Sequence, residues 1–89
     1  MLFRSADERV AAFLLDLAAR HAVRGFSGTR LRLSMSRADI ANYLRLAAET
    51  VSRVLSRFGA QQLIEIQGRE LQLLNPHGLR QIAQALLPD

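Results

Sequence analysis

Ser36-Arg37-Ala38-Asp39-Ile40-Ala41-Asn42-Tyr43-Leu44, then Arg45-Leu46-Ala47, then Ala48-Glu49-Thr50-Val51-Ser52-Arg53-Val54-Leu55-Ser56-Arg57-Phe58-Gly59, is the stretch whose reading decides the fold. Its first part opens with a serine followed three residues later by an acid, the form of a capping box, and predicts a short helix from about Arg37 to Leu44. Ile40, Ala41 and Leu44 would face inward. After the interruption at 45–47, Val51, Val54, Leu55 and Phe58 recur at the 3,1,3 spacing of a helix buried along one stripe. This second helix is expected from Ala48 to about Gly59, with the glycine placed to stop it or just follow its end.

Upstream, Val10, Phe13, Leu14, Leu17 and Ala18 fall on one helical face, which predicts a helix over 5–22 with Ser5 and Glu8 as its capping box. Gly25, Ser27 and Gly28 break that pattern into a loop. Leu31 and Leu33 then alternate with Arg30, Arg32 and Ser34, as in a short strand. Downstream, 63–74 reads as a β-hairpin around Gly68-Arg69, with Ile64, Ile66, Leu71 and Leu73 inward. Asn75-Pro76 is a helix start, Asn as N-cap and Pro in the first turn, for a last helix over 76–87 carrying Leu79, Ile82, Ala83 and Leu86. The order is helix, strand, helix, turn, helix, hairpin, helix. Two short helices about three residues apart, followed at once by a hairpin, make a winged helix-turn-helix, mainly α with a small β-sheet, in one domain over residues 1–89.

The bulk numbers fit one small core: 89 residues, 49% hydrophobic and 22% charged. Without cysteine there are no disulfides, thiolate metal sites, iron–sulfur clusters or cysteine nucleophiles. His21 and His77 stand far apart in sequence with no clustered acids, so no metal site is expected. Asp7, Glu8 and Asp16 read as capping or solvated residues and not as a catalytic pair, no serine sits in a nucleophile elbow, and no glycine-rich loop resembles a phosphate cradle. The chain is read as no enzyme and as carrying no cofactor. Apolar runs are too short to span a bilayer, and Asp7-Glu8-Arg9 interrupt any signal-peptide core, so a cytoplasmic location is expected. Tyr43, the one tyrosine, is assigned to core packing with its hydroxyl at the edge.

The net charge is +4, and all 12 basic residues are arginine. A small basic domain suits a polyanion, because each neutralised phosphate releases counterions. With the apolar stripe of the helix after the turn facing in, Glu49, Ser52 and Arg53 stand at i, i+3 and i+4 on the outside. Arg53 can donate two hydrogen bonds to guanine O6 and N7, Glu49 can accept from cytosine N4, and Ser52 can contact either kind of edge. The same three residues also describe a solvated helix face with an ordinary Glu–Arg pair; their place directly after a helix-turn-helix favours base reading. Ser36 and Arg37 at the start of the first motif helix, Thr50 and Arg57 beside the reading face, and Gln67, Gly68 and Arg69 at the hairpin tip are candidate backbone contacts, which fix register without reading sequence.

From Leu33 to Phe58 the sequence closely resembles the DNA-binding domain of Crp/Fnr-type bacterial transcription regulators, and within them the Fnr-type branch, with Glu49-Thr50-Val51-Ser52-Arg53 as the specific marker. The likeness continues through Ala11–Leu15, Arg24–Ser27 and Leu63–Gly68. The resemblance implies duplex DNA as partner, with Glu49, Ser52 and Arg53 reading TTGAT-type half-sites of a two-fold operator bound by a homodimer. It implies backbone roles for Ser36, Arg37, Thr50 and Gln67, and a contact to RNA polymerase through the loop 25–30. The family's sensor barrel and long dimerisation helix have no counterpart here, so the chain is expected to be the output half of a longer regulator, and any sensor cofactor to belong to the missing part. Two positions depart from the pattern. Arg45 stands where relatives often have glycine in a left-handed turn, at a cost of about 1 kcal/mol. Ala47 replaces the usual Ser or Thr cap, losing ~1 kcal/mol and one phosphate contact. Two other readings stay open on the residues alone: a winged-helix protein-interaction module, and a non-specific DNA-binding domain.

Overall fold

The computed structural model describes residues 6–25 and 28–84. Its elements are α1 (Ala6–Val23), β1 (Arg30–Arg32), α2 (Arg37–Leu44), α3 (Ala48–Ala60), β2 (Ile64–Gln67), β3 (Glu70–Leu73) and α4 (Pro76–Ala83). This is a winged helix-turn-helix: four helices and one three-stranded antiparallel sheet in the order β1-β3-β2. The Ser5 cap, Phe26 and Ser27 of the loop, and Leu86 of the last helix lie outside the described residues.

The apolar periodicities become one continuous core. Val10, Ala11, Leu14 and Ala18 of α1, Ile40 and Ala41 of α2, and Val51, Val54, Leu55 and Phe58 of α3 are all buried. They meet Leu31, Leu33, Ile64, Leu71 and Leu73 from the sheet and Leu79 and Ala83 from α4. Phe13, Leu17, Leu44, Ile66 and Ile82 are half-buried at its margin. In the sheet, Leu31, Leu71 and Ile66 form one row facing the helices, while Arg30, Gln72 and Glu65 form a row on the opposite face. β1 is thus a third strand laid on the hairpin, and the Leu33 N–H donates to the Arg69 carbonyl at 2.7 Å just beyond it.

Local signals fix the helix ends. Ser36 Oγ accepts from the Asp39 N–H at 3.1 Å to start α2, and Asn75 Oδ1 accepts from the Gly78 N–H at 2.9 Å to start α4. Each satisfies an amide that the first helical turn cannot. Arg45 takes the left-handed conformation expected of it (φ 60°, ψ 46°), and Ala47 starts α3 with no side-chain cap.

Two expectations are corrected. Gly59 does not stop α3; the helix runs through Ala60 and the left-handed residue is Gln62, at φ 62°. The termination point is set by the buried Leu63, whose N–H reaches the Phe58 carbonyl at 2.9 Å. Tyr43 is not a core residue: it is 63% exposed. Ile40, Ala41 and Leu44 occupy the inward arc of α2, which leaves position 43 about 100° off its centre. The Tyr43 ring instead leans on Phe13, centroids 5.8 Å apart and planes at 56°.

Candidate nucleic-acid interface

The amphipathic character of α3 separates two jobs along one helix. Val51, Val54, Leu55 and Phe58, none more than 5% exposed, anchor one stripe in the core. Glu49, Ser52 and Arg53 are exposed on the other side. No part of the hairpin covers them, so the three side chains form an accessible patch at the N-terminal half of the helix. Arg53 Nη2 donates to Glu49 Oε2 at 3.1 Å, with both side chains more than two-thirds exposed. An exposed i,i+4 pair of this kind contributes a few tenths of a kcal/mol, roughly 0.3, and opens readily to a better partner.

The residues around the patch divide into four groups. Ser36 is exposed but its hydroxyl already accepts from Asp39, so a phosphate there would meet the hydroxyl hydrogen. Arg37 and Thr50 are half-buried beside the patch. Gln67, Gly68 and Arg69 are exposed at the hairpin tip, where Gly68 adopts φ +61° to make the turn. The Arg69 guanidinium donates to the Ser34 carbonyl at 3.2 Å, tying the tip to the segment that follows β1. Arg57 is drawn the other way. Its guanidinium pairs with Asp7 in the first turn of α1, a residue read from sequence as merely capping or solvated. The structure therefore brings Arg57 to α1 instead of to the exposed Glu49–Ser52–Arg53 patch.

Two depressions flank the hairpin. One lies on the outer face of the sheet and is lined by Arg30, Glu65, Gln67, Glu70, Leu71 and Gln72. Glu70 there pairs with Arg32 across the strands. The other lies between α3 and β2 and is lined by Arg37, Ser52, Leu55, Ser56, Gly59 and Ile66. Ser56 is not among the residues singled out from the sequence, although its spacing of i+7 from Glu49 continues the exposed stripe. Arg9 was likewise missed. Its guanidinium donates to the Leu44 carbonyl at 3.3 Å and ties α1 to the end of α2.

Among the described residues no group of three or more His, Cys, Asp or Glu is arranged to hold a metal ion, and no helix is long and apolar enough to cross a membrane.

Comparison with known proteins agrees with this geometry. Residues 8–82 match the family described as the Crp-like helix-turn-helix domain. The transcriptional activator protein Anr of Pseudomonas protegens is 55% identical over 73 residues, which is 82% of this chain and 30% of that protein. The transcriptional activator protein FnrA of Stutzerimonas stutzeri is 51% identical over 80 residues, 90% of this chain and 33% of its own length. Among solved structures, FixK2 from Bradyrhizobium japonicum superposes with a TM-score of 0.77 at 43% identity, covering 88% of this chain and 38% of FixK2. The chain thus spans about a third of the length of the curated relatives it matches.

Proposed function

The chain belongs to the family of Crp-like helix-turn-helix domains, the Crp/Fnr regulators and not enzymes, and we propose that it binds duplex DNA sequence-specifically in bacterial transcription control. In this reading α3 lies in the major groove and recognises TTGAT-type half-sites. Arg53 forms a bidentate pair with guanine O6 and N7, Glu49 accepts from the N4 amino group of a neighbouring cytosine, and Ser52 permits close approach. The Glu49–Arg53 pair holds both side chains on the reading face before contact and yields to the base edges on binding. Ser36, Arg37, Thr50 and the hairpin tip Gln67-Gly68-Arg69 contact the sugar-phosphate backbone. Arg57, held toward α1 by Asp7, reaches a phosphate by turning from that weak surface pair.

The observation that carries this reading is the division of α3 into a fully buried stripe and an exposed acid–hydroxyl–guanidinium patch on the opposite side. A domain serving only to bind another protein has no need of that combination of donors and acceptor. As in regulators built on dimers, two copies would engage the two halves of an operator, each gaining from the other's effective concentration. The loop 25–30 is the surface proposed to meet RNA polymerase, and any signal-binding cofactor is assigned to parts of the whole regulator outside these residues.

The test is binding to a TTGAT-containing duplex and to a scrambled duplex of equal length across a salt series. The cognate duplex is expected to bind more tightly, and Arg53→Ala to cost ~1–3 kcal/mol on it while relaxing preference at one base pair. Equal affinity for the two duplexes would remove base reading; no binding at low salt would leave a protein-interaction module.

A further inference from the structure

The two depressions beside the hairpin differ in the polar groups they offer a DNA strand. The outer one contains two carboxylates, Glu65 and Glu70, offset by Arg30 in its lining and by Arg32, which pairs with Glu70. The inner one, between α3 and β2, contains no acid at all: its polar groups are the Arg37 guanidinium and the hydroxyls of Ser52 and Ser56. The first offers a phosphodiester balanced charge and hence little net attraction, whereas the second offers an uncompensated cation and two hydroxyls. Arg37 is half-buried at the first turn of α2, and no carboxylate pairs with it among the described residues.

From this we infer that Ser56, together with Arg37, seats the phosphodiester backbone of the DNA strand that passes between α3 and the hairpin. The inference rests on the major-groove reading above and adds a contact to it. A helix 10–12 Å across nearly fills a major groove about 12 Å wide, so its flanks press against the groove walls. Ser56 lies one turn, about 6 Å, further from the inserted end than Ser52. It therefore stands at the height of the wall, where Ser52 stands nearer the floor. Leu55 and Ile66 also line the depression. A hydrogen bond from a hydroxyl to an anionic phosphate oxygen is charge-assisted and stronger than one between neutral groups. A contact of this kind is blind to base identity.

The test uses the whole chain as wild type, Ser56→Ala and Ser56→Lys, with Arg53→Ala as the base-reading control, on cognate and scrambled duplexes across a salt series. Ser56 is exposed on a helix, so circular dichroism should show all variants folded. Ser56→Ala should weaken both duplexes by about 3- to 10-fold with their ratio unchanged. Ser56→Lys should steepen the salt dependence by about one unit, as one more phosphate is neutralised. Wild-type binding with both Ser56 variants indistinguishable from it would overturn the seat while leaving the proposed function standing. A change in the cognate-to-scrambled ratio at Ser56→Ala would overturn it too, making Ser56 a base contact. Wild type binding neither duplex at low salt would instead overturn the proposed function, and the seat with it.

Discussion

Helices α2 and α3 follow one another in the chain and close with the same pair of hydrogen bonds. In α2 the Leu46 N–H reaches back to the Ala41 carbonyl at 2.8 Å and the Arg45 N–H to that of Asn42 at 3.2 Å. In α3 the Leu63 N–H reaches Phe58 at 2.9 Å and the Gln62 N–H reaches Gly59 at 3.1 Å. These are the six-to-one and five-to-two bonds of a Schellman ending, and each has a non-glycine residue in the left-handed position. Their starts differ. Ser36 caps α2 with its hydroxyl, whereas Ala47 offers α3 nothing. The shorter helix, of 8 residues, has a side-chain cap at its start as well as this ending; the longer one, of 13, carries the exposed Glu49–Ser52–Arg53 face and has the ending alone. What holds α3 is tertiary burial. Four large side chains, each contributing roughly 1.5–3 kcal/mol when removed from water, outweigh a missing cap of ~1 kcal/mol.

The sharpest way to break that contrast is Phe58→Ala. Phe58 is fully buried and also sits at the position whose carbonyl closes the helix end. Loss of its ring is expected to cost about 3–5 kcal/mol in urea unfolding, from lost burial and the cavity left behind. For a domain whose whole stability is of the order of 5–15 kcal/mol this is a large fraction. A loss below about 1 kcal/mol would mean that α3 is held by something other than its buried stripe.

The next pair works on the helix starts in opposite directions. Ser36→Ala should destabilise by about 1 kcal/mol, since the Asp39 amide loses its acceptor, while Ala47→Ser should stabilise by a similar ~1 kcal/mol by supplying one. Chemical denaturation with unchanged m-values would establish both as changes in stability alone. If Ala47→Ser gave no gain, the first-turn amides of α3 would already be satisfied in the free chain, and the difference between the two starts would disappear.

How much of this was legible in the sequence depended on how far apart the causes lie. The buried stripe of α3, the Ser36 cap and the Asn75-Pro76 start are set by residues within a turn or two, and periodicity or spacing suffices to read them. The accessible face of α3 followed from the stripe, because a helix with one side buried presents the other. The exposure of Tyr43 is legible too, since with Ile40, Ala41 and Leu44 inward position 43 falls about 100° off the buried arc; only its contact with Phe13 of another helix is not. Gly59 is the usual local signal for the end of α3, whereas the buried Leu63 fixes the left-handed residue at Gln62 instead. The Arg57–Asp7 pair joins residues 50 positions apart, and nothing local in either segment announces it. Ser56 was legible in principle, by extending the i, i+3, i+4 pattern to i+7. What the pattern could not supply was the depression that gives Ser56 a role, since that needs β2 folded back beside α3.

The smallest predicted effects lie at the helix ends that the two helices share. Arg45 and Gln62 both hold positive φ with exposed side chains, at 60° and 62°. Glycine at either site would relieve about 1 kcal/mol of left-handed strain and give back about half of it, ~0.5 kcal/mol, through the freer unfolded chain. Each of Arg45→Gly and Gln62→Gly should therefore raise stability by roughly 0.5 kcal/mol, and the double variant by about 1 kcal/mol, since the sites lie at the ends of different helices and should add. Thermal unfolding resolves this, because 1 kcal/mol moves the midpoint of a domain of this size by about 4–8 °C. A loss of stability at one site only would show that its side chain supports the turn beyond its backbone angle, and the two endings would then be alike in hydrogen bonding but not in cause.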